Sequence, residues 1–268
     1  MNKINFESSE KYYFLVLFML LLSCRNTLEP AANSTIRTAP ASNNDIANAE
    51  FDFLPKSTSN QIVEHEFYTL SYNETFEQAD WVAYFLDGRK SQNRFERPFF
   101  EQDPLVKTGS ADWKNYKKSG YDKGHLCPAG DMKFSETAFN DTFFTSNISP
   151  QRHDFNEGIW NRLEQKTRYC AIKHKGIYIV TAGVLDRNLD AIGHEDVAVP
   201  KCFYKILFRK SDQKMIGFLV PHKDSDRPLY DFVVSVNQIE QMTGLDFFPK
   251  LDDSIEEKME ANSDWKAW

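Results

Sequence analysis

Seven short apolar stretches follow one another after residue 60, and they limit the fold classes open to the chain. Each alternates apolar with polar residues or is continuously apolar, as is typical of strands; they are HEFYTLSY (65–72), WVAYFL (81–86), DTFFTSN (141–147), GIYIVTAG (176–183), CFYKILFRK (202–210), MIGFLV (215–220) and YDFVVSV (230–236). Helical spacing is clear in NEGIWNRLEQKTRYC, Asn156–Cys170, and shorter helices are predicted at Asn237–Met242 and Ser254–Glu260. Because strands outnumber helices without regular alternation, we expect an α+β fold with a mainly antiparallel central sheet flanked by helices.

The N-terminal part of the chain differs in composition from the rest. Met1–Ser23 places Lys3 and Lys11 before an unbroken apolar run, Tyr12–Leu22. This run is shorter than the roughly 20 apolar residues that span a bilayer, so it predicts a signal peptide rather than a membrane span or a buried helix. Residues 24–59 are rich in Asn, Ser, Ala and Pro, which predicts a flexible tether. One folded domain is then expected over residues 60–262, since a composition that is 41% hydrophobic supplies a sizeable core.

The apolar run ends in LLSC, whose last residue is Cys24. This ending resembles the lipobox of bacterial lipoproteins, in which the cysteine is lipidated and becomes the mature N-terminus. It predicts a protein anchored by lipid in the bacterial cell envelope, with simple secretion as the alternative. Cys127, Cys170 and Cys202 then remain, and an odd number outside the cytoplasm leaves at least one unpaired. Two alternatives remain: Cys170 and Cys202 form a disulfide, or all three cysteines are unpaired and buried as small hydrophobic residues.

The distribution of charge matters more than the net charge of −7, which by itself argues against a general nucleic-acid-binding surface. Residues 107–125 hold five lysines against two aspartates, and residues 152–175 hold six basic residues against three acidic ones. A positive cleft on an acidic body would attract a polyanion to one place. Ordinary solvated charges would give the same composition.

The segment SGYDKGHLCPAGDM, residues 119–132, places His125 among glycines and a proline. An imidazole titrates near neutral pH and can accept a proton from water. A lone histidine is more often structural, although Gly124 and Pro128 give this one an unusual backbone path. A zinc or thiol pair with Cys127 is disfavoured, because no second close pair of His or Cys completes four ligands.

Polar residues recur along one side of the predicted helix, at Asn156, Glu164 and Arg168. On a helix Asn156 and Glu164 lie about 80° apart, so both can face the same hairpin. Amide and carboxylate oxygens are hard ligands that suit a hydrated Mg²⁺. The alternative is that Glu164 and Arg168 form only a solvent-exposed ion pair.

Together these segments resemble the DNA/RNA non-specific endonucleases of the ββα-metal superfamily. The Asp-Arg-Gly-His signature of that family is matched by Asp122-Lys123-Gly124-His125, and TFFTSNISPQRHDFNEGIWNRLE (142–164) matches the next block in order and spacing. Further similarity upstream, in EFYTLSYNETFEQADWVAYFL, and downstream, in VAVPKCFYKILF and IEQMTGLDFF, extends the resemblance over about residues 60–260. It implies a ββα-metal catalytic motif and a dependence on Mg²⁺, for which Mn²⁺ could substitute.

The resemblance also implies a role for each residue that matches the motif. His125 would be the general base that activates water, and Asn156 the direct metal ligand. Glu164 would hold metal-bound waters, and Arg168 would stabilise charge in the transition state.

Supporting roles follow from the same positions. Asp122 would support the metal-water network, and Asn147 the placement of the histidine. Lys123, Arg152 and Arg168 would contact substrate phosphates, although Lys123 lacks the bidentate fork of the arginine that the family has there.

The sequence thus predicts an exported, Mg²⁺-dependent endonuclease that hydrolyses DNA and RNA without sequence or sugar specificity, with a homodimer as one possible assembly. Two alternatives remain. One is a catalytically silent nucleic-acid-binding lipoprotein, and the other is a metal phosphodiesterase that acts on small nucleotides.

Overall fold

The computed structural model describes residues 54–56, 61–89, 91 and 93–268. The predicted signal peptide, Cys24 and most of the predicted tether lie outside these residues. Within the tether segment, Leu54 packs against the core, and the Lys56 N–H donates to the Asp246 carbonyl at 2.9 Å. Of the helices in the described ranges, none is long and apolar enough to cross a membrane.

A seven-stranded antiparallel sheet forms the centre of the domain, as predicted. The strands along the chain are β1 (Gln61–Glu64), β2 (Thr69–Asn73), β3 (Gln78–Leu86), β4 (Asp122–His125), β5 (Ile148–Gln151), β6 (Ile177–Gly183), β7 (Asp190–Ile192), β8 (Val197–Val199), β9 (Cys202–Arg209), β10 (Lys214–Pro221) and β11 (Val233–Val234). The large sheet has the order β1-β2-β3-β6-β9-β10-β11, while β4 pairs with β5 and β7 pairs with β8 in two separate two-stranded sheets. The prediction of an α+β fold with a mainly antiparallel sheet is confirmed.

The helices are α1 (Glu136–Asp141), α2 (Asn161–His174), α3 (Val236–Thr243) and α4 (Asp253–Glu260). Three of them begin after a side chain that accepts a hydrogen bond from their first turn, which satisfies a backbone N–H that has no partner within the helix. These capping residues are Ser135, Ser235 and Asp252. A helical turn, His153–Phe155, and a π-helical segment, Asn156–Trp160, lead directly into α2.

The two faces of the large sheet pack against different parts of the chain, as neighbouring residues of β9 show. The Phe203 ring contacts Trp160 at a centroid distance of 5.6 Å, on the side of the segment that leads into α2. The next ring, Tyr204, contacts Phe247 at 5.5 Å, on the side of the C-terminal segment. Successive side chains of a strand point to opposite faces, so the alternation places the segment that leads into α2 over one face only.

The chain between β3 and β6 leaves the large sheet and returns to the same place. β3 ends at Leu86, which is the register partner of Ile177, the first residue of β6. Residues 87–176 therefore form one long excursion between two neighbouring strands. This excursion contains the β4–β5 hairpin and α2.

Three predicted strands are wrong in detail. In HEFYTLSY, residues 65–68 form a turn in which the His65 N–H donates to the Tyr68 carbonyl at 2.9 Å, and the strand begins at Thr69. The DTFFTSN stretch forms the end of α1, turns and a 3₁₀ helix, Thr145–Asn147, because its polar groups bond within the loop: the Asn147 amide donates to the Thr142 carbonyl at 2.9 Å. In YDFVVSV, the 3₁₀ helix Leu229–Phe232 takes the first residues, and only Val233–Val234 pairs with β10. The predicted helix at 156–170 is confirmed, with its regular part displaced to 161–174.

Candidate active site

The β4–β5 hairpin presents the Asp122-Lys123-Gly124-His125 motif as a strand. Its register pairs Asp122 with Gln151 and His125 with Ile148. A Cβ atom at residue 124 would overlap the Gln151 side chain, which is fully buried over the strand. The glycine of the motif is therefore required by this close packing.

His125 ends β4 in an aromatic surrounding. Its ring meets Phe143 edge-on at a centroid distance of 4.9 Å and Phe100 at 5.6 Å. Burial, together with the positive charge of Arg97, lowers the pKa of His125 to about 3. The imidazole is thus neutral at pH 7, and its Nε2 atom has no hydrogen-bond partner among the described residues.

Asn147 fixes the backbone just after the histidine. Its Oδ1 accepts from the Cys127 N–H at 2.8 Å, and its Nδ2 donates to the Cys127 carbonyl at 2.9 Å. The Asn147 carbonyl also accepts from the Leu126 N–H at 2.9 Å. Asn147 therefore acts on the chain that follows His125, and the contacts recorded for it are with backbone atoms. The buried Cys127 is a free thiol, as are Cys170 and Cys202.

Asp122 connects the hairpin to the segment that precedes α2. Its Oδ2 accepts from Asn156 Nδ2 at 3.1 Å and lies 2.9 Å from His153 Nδ1. Because the Asn156 nitrogen is bonded to a carboxylate, its Oδ1 is the atom suited to a cation. The hydrogen bond with Asp122 raises the pKa of His153, a residue that the sequence analysis did not select.

A π-helical turn places Asn156 relative to the helix that follows. Gly158, inside this turn, has non-helical backbone angles of φ −89° and ψ −111°. A Cβ atom there would overlap the Asp224 carboxylate, whose Oδ1 accepts from the Ile159 N–H at 3.3 Å. Although the turn departs from the regular spacing assumed from sequence, Asn156 and Glu164 line one cleft together with His125 and Arg168. The volume of this cleft is about 560 Å³.

Glu164 and Arg168, which line the cleft, belong to a larger cluster of charges. Arg168 Nη1 lies 2.7 Å from Asp131 Oδ1 and 3.8 Å from Glu164 Oε2. The Glu164 side chain is only 15% exposed, so this pair is not the solvent-exposed one that spacing alone allowed. Burial raises the pKa of Glu164 to about 7, with Asp131 acting in the same direction and Lys205 and Arg168 opposing it.

The positive rim of the cleft comes largely from a segment that the sequence analysis left unassigned. Arg94, Arg97 and Lys133 line it, and the Arg97 guanidinium carbon lies 5.3 Å from the Phe143 ring centroid. The signal available in the sequence was the alternation of arginines and phenylalanines in RFERPFF.

The two basic segments of the sequence, residues 107–125 and 152–175, contribute little to this rim. Of their basic residues, only Arg168 lines the cleft. Lys123 places its ammonium 5.2 Å from the Phe100 ring centroid, next to the surroundings of His125. Arg152 lies outside the cleft lining and forms an exposed pair with Asp154 at 3.2 Å.

The donor set suits a hydrated hard cation. Within the described residues no group of three or more His, Cys, Asp and Glu side chains could hold a metal. An amide oxygen with carboxylates nearby suits a hard divalent cation that keeps most of its waters. Asn156 could hold such an ion through Oδ1.

Comparison with known proteins identifies the family. A model of the DNA/RNA non-specific endonucleases matches residues 48–254. The chain belongs to this family. Its relatives include the mitochondrial nuclease EXOG of Danio rerio, 36% identical over 74% of this chain and 63% of that protein. Human mitochondrial endonuclease G is 30% identical over 71% of this chain and 70% of the relative.

The solved structures agree with this family assignment. A structure of an EndoG/EndoGI complex matches with a TM-score of 0.65 and 28% identity, over 71% of this chain and 86% of that one. The chain spans less than two thirds of the length of the EXOG relative. The family match, residues 48–254, includes the β4–β5 hairpin and α2.

Proposed function

We propose that this protein is a metal-dependent endonuclease that hydrolyses phosphodiester bonds of both DNA and RNA. The observation that carries the proposal is the meeting of His125, Asn156, Glu164 and Arg168 at one cleft, with additional arginines at its rim. Such a rim binds a phosphate backbone without reading bases, which agrees with a non-specific enzyme.

His125 acts as the general base. It is neutral at pH 7, because burial and Arg97 keep its pKa near 3, and its ring lines the cleft, where it can accept a proton from water. An imidazole with so low a pKa is a weak base in the free protein. The arrival of a phosphate anion neutralises Arg97 and raises the basicity of His125, so the base strengthens when substrate is bound.

Arg168 and Asn156 act on the phosphate side. Arg168 is held by Asp131 at 2.7 Å, which directs its guanidinium to the cleft and lets it stabilise charge on the transition state. Asn156, oriented by Asp122, would hold Mg²⁺ or Mn²⁺ through Oδ1, and Glu164 would bind waters of that ion. The ion supplies Lewis-acid stabilisation of the phosphate and of the leaving oxygen.

The proposal extends to location. The LLSC sequence and the apolar run before it support export and lipidation at Cys24 in a bacterial envelope, with the domain connected through the segment that follows. Secretion without a lipid is the alternative.

The test is cleavage of supercoiled plasmid and of a long RNA by the full chain in mild detergent, with Mg²⁺ or with chelator. We expect internal cuts in both substrates that require the metal. His125→Ala should lose about 10²–10⁴-fold in rate, while binding of the plasmid is retained. Asn156→Ala should raise the Mg²⁺ concentration for half-maximal rate by about tenfold or more.

Matched controls are available on the exposed surface. His194→Ala and Asn188→Ala remove the same residue types outside the cleft lining, and both should cleave at the wild-type rate. Binding without cleavage by folded wild-type protein would support the silent binding lipoprotein instead. Hydrolysis confined to small nucleotides, with weak dependence on salt, would support the phosphodiesterase.

A further inference from the structure

His222 directly follows β10 and packs among aromatic rings. Its ring centroid lies 5.0 Å from that of Phe155, 5.1 Å from that of Phe203 and 6.0 Å from that of Tyr121. Tyr121 precedes β4, and Phe155 precedes Asn156. The imidazole therefore contacts both the start of the hairpin and the segment that carries the candidate metal ligand.

Both ring nitrogens of His222 have backbone partners. Nε2 lies 2.7 Å from the Arg152 nitrogen, and Nδ1 lies 2.7 Å from the Pro200 oxygen. A backbone N–H can only donate and a carbonyl oxygen can only accept, so Nε2 is the acceptor and Nδ1 carries the proton. The two bonds therefore hold the imidazole in one neutral tautomer and one orientation.

Arg152 connects this contact to Asn156. Its N–H donates to His222, and its carbonyl accepts from the Asn156 N–H at 2.9 Å. The same residue follows β5, whose last residue, Gln151, pairs with Asp122. Arg152 thus links the hairpin, which provides Asp122, to the helical turn, which leads to Asn156.

The loop that begins at His222 also contacts the segment beyond Asn156. Asp224 Oδ1 accepts from the Ile159 N–H at 3.3 Å, and Arg162 Nη1 donates to the Ser225 carbonyl at 2.9 Å. The π-helical turn lies between these contacts and the one at the start of the segment. This loop therefore holds the chain on both sides of the candidate metal ligand.

We propose that His222 is a positioning residue that fixes the place of Asn156 through the backbone of Arg152. The inference rests on the proposed function for what Asn156 binds, whereas the two hydrogen bonds that connect His222 to it exist without metal or substrate. His222 is outside the cleft lining and touches no reacting group. A ring that only fills space in the core would need neither of its own bonds, so substitution separates the two roles.

The test is Mn²⁺ binding to the full chain in mild detergent, without nucleic acid, followed by NMR. The reporter is the Asn156 side-chain amide, whose signal is assigned by its loss in Asn156→Asp. Its chemical shift reports its surroundings in the metal-free protein, and its broadening by added Mn²⁺ reports binding. His222→Phe keeps a ring but removes both hydrogen bonds. It should shift the amide signal and raise the Mn²⁺ concentration for half-broadening by about tenfold or more.

Two further variants separate the bond to Arg152 from the bond to Pro200. The amide of His222→Gln can reach the position of Nε2 and accept from the Arg152 N–H, whereas the shorter amide of His222→Asn reaches only the position of Nδ1. The first variant should restore the wild-type shift and Mn²⁺ concentration, and the second should not. His194→Phe, at an exposed histidine outside the cleft lining, should behave as the wild type.

An unchanged Mn²⁺ concentration for half-broadening in folded His222→Phe would overturn the inference and leave His222 a packing residue. If that variant does not fold, equal behaviour of His222→Gln and His222→Asn would overturn it as well. A wild type in which Mn²⁺ does not broaden the Asn156 signal would count against the proposed metal site. The inference would then be decided by the metal-free shift, which must change in His222→Phe and return in His222→Gln.

Discussion

The protonation of His125 is set by its surroundings rather than by the imidazole itself. Phe100 and Phe143 remove water from the ring, and Arg97 adds a positive charge nearby. Both effects favour the neutral form. The same arrangement that keeps the His125 imidazole neutral therefore carries a cost for stability in acid.

The stability of the fold should depend on pH through His125. Its pKa is about 3 when folded and near 6.5 when unfolded, so the unfolded chain binds one more proton between these values. The free energy of unfolding should accordingly fall as pH drops from 6.5 towards 3, by up to about 1.4 kcal/mol per pH unit. Urea unfolding at pH 7 and pH 5 checks this.

His125→Asn serves as the comparison, because it removes the titrating group. The free energy of unfolding of the wild type should exceed that of this variant by less at pH 5 than at pH 7. The free energy of unfolding of the exposed variant His194→Asn should change with pH as the wild type's does. A constant difference at both pH values would contradict the low pKa.

At the level of elements, the close fit of the β4–β5 hairpin makes a further prediction. Gly124→Ala should destabilise the fold by about 1–3 kcal/mol, because the new methyl group overlaps the buried Gln151 side chain. Urea midpoints at pH 7 measure the loss. The double variant with Gln151→Ala should be less destabilised than the sum of the two single variants. Additive losses would show that the two side chains do not interact.

The sequence predicted the elements whose pattern arises from local burial. The long strands β3, β6, β9 and β10 were found because their apolar runs lie in the middle of the sheet. The 141–147 stretch was mistaken for a strand because its apolar residues pack within a loop. The Asn147 side chain holds this loop by hydrogen bonds to backbone carbonyls, and its strand-like pairing is limited to one isolated bridge between Phe144 and Glu101.

The site was predicted by motif, and its environment was not. The positions of His125, Asn156 and Glu164 could be selected from order and spacing. Arg97 could not, because it lies in an irregular segment.

At the level of the whole molecule, charge is separated by location. The chain carries a net charge of −7, whereas the cleft is lined by Arg94, Arg97, Lys133 and Arg168. An acidic body repels a polyanion except where such a rim attracts it. Under the proposed function, substrate capture would be confined to the cleft.

Cleavage should depend steeply on salt as a result. The logarithm of kcat/KM for plasmid should fall linearly with the logarithm of salt concentration, because each phosphate contact releases counterions. Arg94→Gln and Lys133→Gln should each reduce the slope by about 1, whereas Lys266→Gln, exposed near the chain end and outside the cleft lining, should not. If all three variants show the same salt dependence of kcat/KM, the substrate binds outside this cleft.

The pairing of Leu86 with Ile177 has a consequence for how the protein folds. All the described residues that line the cleft lie within residues 87–176. The candidate active site therefore belongs to one long loop, and the pairing of β3 with β6 closes this loop. Closing a loop of this length costs about 4 kcal/mol of chain entropy, and that cost precedes the contacts that repay it. The sheet must therefore join two distant parts of the chain before the catalytic segment has a fixed base, which makes the active site a late product of folding.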